Sequence, residues 1–313
     1  TLGVLDALDQ AGETRSIDGR AYWATSEFPG AKVNLRTISG DTYTIMDMKR
    51  DNAVIGTVDA ISALELVYPA AVYLHEGETW FVRELDLVQK TAYVERREVD
   101  YYTQPVLDTN IRVRGELERS AWRGESVRFG EVTYSWQTIA MKKVKFQSLD
   151  SIGYHPLELP RLNLETAGFW FAPSESAWAA VARQGMNPVE GLSGVRNLFL
   201  TLLAMLSMCD PSDLGGMIDS SNLGRPALFV FDRYPGGLGF AEQGYARLDE
   251  LARAALDHLE ACECDSGCPS CVGLPILRPA QQQDPDLGHA RAIPAKPAAR
   301  ALLAHWLAQP EGQ

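Results

Sequence analysis

The chain has 313 residues, of which 46% are hydrophobic and 22% charged, and its formal net charge is −12. These values are typical of a globular protein of about two domains. The acidic balance excludes a surface that binds nucleic acid over its whole extent, but it is compatible with a local basic face. The longest apolar run, Leu198–Met208, is too short to cross a bilayer. We therefore expect a soluble, cytoplasmic protein with no membrane partner.

The first half of the chain predicts mainly β-structure. Residues 1–20 begin with a helical apolar pattern, which indicates the end of a preceding helical or winged-helix element in a longer protein. From residue 21 to 150, short alternating runs are separated by turns. Lys32–Ile38 predicts a strand, and Ala71–Leu74 with Thr79–Val82 predicts a hairpin. We therefore predict an antiparallel β-rich region over residues 21–150, built as a twisted sheet or barrel.

The second half, residues 151–313, predicts an α/β region. Ser174 and the residues after it are typical of a capped helix that ends near Arg183. Longer apolar or amphipathic runs predict two buried strands and two helices, at Leu162–Phe171, Pro226–Phe231, Val189–Met208 and Phe240–Glu260. A Pro- and Gln-rich tail follows from about residue 275 to 297. The fold class is therefore α+β, with an antiparallel β-rich region followed by the α/β region.

Four of the five cysteines lie within ten residues and form a candidate metal site. Cys262, Cys264, Cys268 and Cys271 have the spacing C-x-C-x3-C-x2-C. Four thiolates favour a tetrahedral Zn²⁺ ion, and a site with four protein ligands is structural because no position is left for water. An iron–sulfur cluster uses the same four ligands, and the spacing does not distinguish it. His258, one helical turn before Cys262, is an alternative ligand. We predict one structural zinc ion.

The loop between the second predicted buried strand and the helix after it is a second candidate site. It contains Asp232, Arg233, Tyr234, Gly236 and Gly237. A Gly-rich turn at this place in an α/β sheet can present backbone amides to a phosphate group. The loop matches neither common Gly-rich nucleotide motif, so a tight turn that requires glycine is the simpler interpretation. An enzyme that uses Arg233 and Tyr234 on a phosphate substrate is the alternative.

A basic stretch over residues 111–150 is the third candidate site. It carries eight Lys and Arg against five Asp and Glu, a net charge of +3, with aromatic residues between them. Basic and aromatic side chains on strands can follow a nucleic-acid backbone and stack on bases. An ordinary solvated sheet face is the competing interpretation. The candidate nucleic-acid contacts are Arg112, Arg114, Arg123, Arg128, Lys142, Lys143, Lys145, Trp122 and Trp136.

Two motifs together resemble the C-terminal zinc-binding domain of MrfA-type superfamily 2 DNA repair helicases. They are Phe231–Glu242 and Cys262–Cys271, and weaker similarity extends the resemblance from about Trp23 to Gly273. The resemblance implies that the four cysteines of the cluster are the zinc ligands. It also implies a domain that follows an ATP-dependent motor and helps it handle DNA during repair. This chain has no Walker A motif, so we expect no ATPase motor in it and no catalytic residues.

Our leading hypothesis is a non-catalytic zinc-binding accessory domain of a DNA helicase that guides or supports single-stranded DNA, with the motor in cis. The alternative is a protein-interaction module that docks a helicase motor, or a phage-defence or repair partner. The segment between Cys262 and Cys271 contains acids and no Lys or Arg. Because such a loop repels phosphate, we expect the zinc site to hold the C-terminal region together while any DNA lies elsewhere.

Overall fold

The computed structural model describes residues 5, 8–17, 19–24, 42–148, 150–273 and 294–310. The chain divides into two compact units, Thr1–Gly40 and Asp41–Gln313. In the first unit the described residues include an antiparallel hairpin of β1 (Thr14–Ile17) and β2 (Arg20–Trp23). The predicted strand at Lys32–Ile38 lies outside the described residues, as does most of the predicted tail.

A five-stranded sheet with one helix opens the second unit. Its elements are β3 (Thr42–Asp47), β4 (Ala53–Asp59), α1 (Ala60–Leu66), β5 (Val72–His75), β6 (Glu78–Asp86) and β7 (Thr91–Arg96). The strand order is β4-β3-β7-β6-β5, and the pairs are antiparallel except for β3 with β7. The β5–β6 pair confirms the predicted hairpin. Asp59 begins α1 because its carboxylate accepts hydrogen bonds from the Ile61 and Ser62 amides.

A six-stranded sheet forms the rest of the β-structure. Its strands are β8 (Tyr101–Trp122), β9 (Glu125–Lys145), β10 (Ser151–Pro156), β11 (Leu162–Phe171), β12 (Leu214–Asp219) and β13 (Ala227–Asp232). The order is β10-β9-β11-β13-β12, and β8 also pairs with β9. This one sheet joins the two regions that the sequence analysis divides at residue 150.

The hairpin of β8 and β9 differs from the several short strands that the sequence predicts. Its strands have 22 and 21 residues, and they are joined at Arg123 and Gly124, whose φ angles of 49° and 82° form the turn. The register shifts at three places along the pair, near Val106, Val113 and Glu116. Each shift interrupts the alternation of polar and apolar residues but does not end the ladder of hydrogen bonds between the strands. In the sequence, these bulges therefore look like the ends of separate short strands.

In the part of the chain that the structure describes, five helices cover one face of this sheet. They are α2 (Glu175–Ala182), α3 (Pro188–Ser207), α4 (Phe240–Ala246), α5 (Leu248–Ala261) and α6 (Lys296–Leu307). The prediction of one helix over Phe240–Glu260 is wrong, because the chain leaves helical geometry at Arg247 (φ −112°, ψ 26°). The break lets α4 lie against the sheet while α5 packs against α3 and α6.

The apolar composition of the central helix α3 is that of a core helix. By length and composition alone it could cross a membrane, but half of its most apolar window is buried inside the protein. Leu192, Val195 and Phe199 are completely buried in the core between the sheet and the helices. A Cβ at Gly191 would lie 2.8 Å from the Ala298 carbonyl, so glycine is required where α3 and α6 meet. These layers confirm the α+β fold class.

Candidate metal centre and basic surface

The four clustered cysteines converge at the end of α5. The Sγ–Sγ distances are 3.6 Å for Cys262–Cys264, 3.7 Å for Cys262–Cys268, 3.4 Å for Cys264–Cys271 and 3.6 Å for Cys268–Cys271. A tetrahedral zinc site with Zn–S bonds of roughly 2.3 Å has S–S edges of about 3.8 Å. All four sulfur atoms lie within 4.8 Å of one another, so they fit around a single ion.

Local backbone geometry holds the second pair of cysteines. The amides of Cys271 and Val272 each donate to the Cys268 carbonyl at 3.1 Å, and the Cys268 amide donates to Cys271 Sγ at 3.4 Å. Gly267 has φ of 126°, and a Cβ there would lie 2.7 Å from the Pro294 carbonyl oxygen. A glycine is therefore required for the loop to close on the residues that precede α6.

The imidazole of His258 does not contact the thiols. Its Nε2 lies 3.0 Å from the Ser270 carbonyl oxygen, which can only accept, so the ring N–H donates to the metal loop from outside. The four cysteines therefore complete the coordination on their own. This arrangement is that of a closed structural site with no open position for a reacting water.

The thiols differ in pKa because their surroundings differ. Hydrogen bonding from the Cys271 backbone lowers the pKa of Cys268 to about 6. Burial raises the pKa of Cys271 to about 12. Since zinc binds thiolates, loading the site must release the protons that the more basic thiols carry, and metal affinity will fall in acid.

The candidate loop site after β13 is closed by its own aspartate. The buried Asp232 carboxylate accepts hydrogen bonds from four consecutive amides, those of Leu238, Gly239, Phe240 and Ala241, at 2.5–3.3 Å. These are the amides at the start of α4 that a phosphate would require. An incoming anion would have to displace a buried carboxylate, so the geometry favours the tight-turn interpretation over a phosphate site.

The other loop residues shape this turn or lie at its rim. Gly236 and Gly237 have φ of 75° and 80°, which side chains rarely adopt. Arg233 lies 3.9 Å from Glu65 of α1, and Tyr234 is 37% exposed. Burial raises the pKa of Glu65, while Arg233 opposes that shift. The pair therefore joins helix α1 to the loop.

Four of the nine predicted nucleic-acid contacts are buried and do not lie on the predicted surface: Trp122, Arg123, Trp136 and Lys142. Trp122 and Trp136 are 8% and 2% exposed, so neither ring offers a free face for a base. Trp122 packs against Phe171 and Trp306 in the core. Arg123 is 5% exposed, because its guanidinium binds groups at the far end of the chain. The structure gives Trp122, Trp136 and Arg123 packing and anchoring roles.

The other three arginines among the predicted contacts lie on β8 and β9, away from the base of the hairpin. Two of them are paired with acidic side chains. Arg128 lies 3.2 Å from Glu116, and Arg114 lies 3.9 Å from Glu165. Arg112 is exposed on β8. Glu116 on the neighbouring strand and Glu165 two strands away therefore offset the positive charge of two of these three arginines.

The three lysines lie beside aromatic rings at the base of the hairpin, with Lys143 and Lys145 on one face of the sheet and the buried Lys142 on the other. We define the hairpin-base cluster as Tyr101, Lys142, Lys143, Lys145 and Tyr154. Lys143 Nζ lies 5.4 Å from the centre of the Tyr101 ring, and Lys142 Nζ lies 5.8 Å from that of Tyr154. The strand register places Tyr101 opposite Lys145, and Tyr154 opposite Lys142. Neither tyrosine is among the predicted contacts, because only strand pairing brings them to the lysines.

Comparison with known proteins identifies relatives of most of the chain. Residues 195–272 match the family model of the MrfA Zn-binding domain. The chain is 31% identical over 278 residues to the uncharacterized ATP-dependent helicase YprA of Bacillus subtilis, and the match covers 87% of this chain and 37% of YprA. It is 23% identical over 268 residues to the ATP-dependent helicase hrq1 of Schizosaccharomyces pombe, covering 78% of this chain and 24% of hrq1.

A solved structure shares the fold. The crystal structure of the DUF1998 helicase MrfA bound to DNA matches 97% of this chain and 39% of the MrfA chain, with a TM-score of 0.59 and 28% identity. The chain thus spans well under half the length of these relatives. The matched Zn-binding domain and the four converged cysteines together confirm the predicted zinc ion. Residues 195–272 are thus similar to the MrfA Zn-binding domain, and the chain as a whole resembles part of the MrfA-type ATP-dependent helicases.

Proposed function

We propose that this chain is a non-catalytic accessory part of an ATP-dependent DNA helicase, and that it guides or supports single-stranded DNA during repair. The relatives are ATP-dependent helicases, and the MrfA structure that resembles it was solved with DNA. The observation that carries the proposal is the hairpin-base cluster, which combines lysines and aromatic rings on adjacent strands. We further propose a cytoplasmic site of action, since clustered thiolates that bind zinc suit a reducing compartment.

The geometry of the cluster supports a contact with single-stranded nucleic acid. Lys143 and Lys145 are two residues apart on β9, so both point to the same face of the sheet. Tyr101 and Thr103 lie opposite them on β8 and share that face. Two cations beside an aromatic ring can hold consecutive phosphates while the ring meets a base. Lys142 points to the opposite face and is 7% exposed, so we assign it no phosphate contact.

A salt titration of the K143Q/K145Q double variant tests this assignment. We expect the unchanged chain to bind a fluorescent single-stranded oligonucleotide weakly, with affinity that falls steeply as salt increases. The double variant should bind more weakly, and its slope of log affinity against log salt should be shallower by about 1.4, or roughly 0.7 for each phosphate that is no longer bound. Fluorescence anisotropy at several salt concentrations gives both quantities.

The control is R183Q/R225Q, which removes the same amount of charge from two exposed positions at the end of α2 and before β13. If both double variants bind DNA equally weakly, overall charge and not the cluster controls binding. If the unchanged chain binds no DNA at low salt, the proposal fails. A complex with motor domains that survives high salt would then favour the protein-interaction alternative.

A further inference from the structure

The first residue of α6 reaches into the zinc loop. Lys296 Nζ donates to the carbonyl oxygens of Cys262 and Cys264 at 2.6 and 2.5 Å. The Lys296 backbone amide donates to the Ser266 carbonyl at 2.9 Å. One residue thus makes three hydrogen bonds to the ligand loop, two of them from its ammonium group. The two carbonyls that the ammonium contacts belong to metal ligands themselves.

Lys296 supplies a positive charge that the zinc loop itself does not contain. Zinc with four thiolates carries a net double negative charge, and Glu263 and Asp265 add acids between the ligands. The segment from Cys262 to Cys271 contains no Lys or Arg. The ammonium is half-buried, so water screens it less than an exposed charge. A cation held against the loop lowers the electrostatic free energy of bringing the four thiolates and these acids close together.

We propose that Lys296 is a positioning residue of the zinc site. Its ammonium fixes the peptide groups of Cys262 and Cys264, so that both sulfur atoms face the ion, and its charge offsets the negative charge of the loaded site. Groups that orient metal ligands in this way typically change metal affinity by about 10- to 100-fold when they are removed. The same contacts join metal binding to the docking of α6.

The test is the zinc affinity of K296M, measured by competition with a chromophoric chelator at constant pH. Methionine keeps an apolar stem of similar length, and the backbone bond to Ser266 remains. We expect K296M to bind zinc about 10- to 100-fold more weakly than the unchanged chain. The matched control is R300M, one helical turn further along α6, where an exposed arginine lies 3.4 Å from Glu260 and away from the loop carbonyls. R300M should keep the original zinc affinity.

Melting curves with and without zinc separate positioning from simple packing. If Lys296 positions the ligands, K296M lowers the melting temperature of the zinc-loaded chain more than that of the chelator-treated chain. An equal decrease in both forms, with unchanged zinc affinity, would overturn the proposal and leave Lys296 as a packing contact. If K296M does not fold, K296Q is measured in the same way. Because its amide can still donate to a carbonyl but carries no charge, it tests the charge effect, and zinc affinity equal to that of the unchanged chain would overturn that part of the proposal.

Discussion

Replacing Arg123 with methionine tests whether the tip of the long hairpin anchors the fold. The Arg123 Nε donates to Asp249 Oδ1 at 2.7 Å, and its Nη1 donates to the carbonyls of Leu307 and Gln309 at 3.2 and 2.7 Å. One side chain thus joins the hairpin turn to α5 and to the end of α6. We expect the free energy of unfolding to fall, because methionine can make none of these bonds.

The structure sets the size of that decrease. A hydrogen bond that involves a charged group contributes about 1.5–3 kcal/mol, and Arg123 makes three of them at 5% exposure. Asp249 is 34% exposed and keeps its contact with Arg253, so the ion pair must be discounted for screening by water. We therefore expect R123M to cost about 3 kcal/mol in total.

Urea unfolding measures the difference through the midpoint at constant m value. The control is R112M, an exposed arginine on the same hairpin, which should change stability by about 0.5 kcal/mol or less. If R123M unfolds at the original urea concentration but binds single-stranded DNA less well, the anchoring role is refuted and Arg123 belongs to a DNA contact.

The same variant should show a defined pH dependence. Burial alone would raise the pKa of Asp249, but hydrogen bonds from Arg123 and Arg253 outweigh it and hold that pKa below its usual value. A carboxylate with a lowered folded pKa stabilises the protein above its unfolded pKa, and this contribution is lost as pH falls through the folded value. The stability difference between R123M and the unchanged chain should therefore shrink below about pH 4.

Three further changes test the rest of the interpretation. Asp232→Ala leaves four amides without their buried acceptor and should cost about 3 kcal/mol or more in urea unfolding, with no recovery on adding phosphate. Cys264→Ser should lower both bound zinc, measured by metal analysis, and the melting temperature; a variant that loses its metal yet keeps its melting temperature would contradict a structural role. Trp136→Ala should cost about 3–5 kcal/mol of stability, while the folded fraction keeps its affinity for single-stranded DNA in anisotropy titrations.

Local patterns were sufficient for much of the fold. The strand at Leu162–Phe171 has the predicted bounds, and Ser174 caps α2 by accepting a hydrogen bond from the Ala177 amide. The cysteine cluster was also predictable, since four ligands within ten residues need no distant element to bring them together. In each case the determining interactions lie within a few residues, where side-chain period, caps and spacing are visible.

The surface could not be predicted in the same way, because exposure depends on distant parts of the chain. Arg123 and Trp122 look like exposed members of a basic strand until α5 and α6 cover them, and their hydrogen-bond partners lie more than 120 residues away. Only weak evidence in the sequence indicated that Asp232 caps α4. Gly239 precedes α4 and has no side chain to cap it, so the acceptor had to come from elsewhere in the loop.

Side-chain hydrogen bonds hold both ends of helix α6, so the zinc site is connected to residues outside its own loop. Its first residue, Lys296, is bound by the carbonyls of two zinc ligands, and the backbone at its last turn is bound by Arg123. Between them, Trp306 donates to the buried Glu125 carboxylate at 2.8 Å. Glu125 follows the hairpin turn directly, so one helix joins the metal loop to the tip of the hairpin. Loss of zinc should therefore loosen the hairpin at its tip first, whereas Lys143 and Lys145 lie at the opposite end of β9.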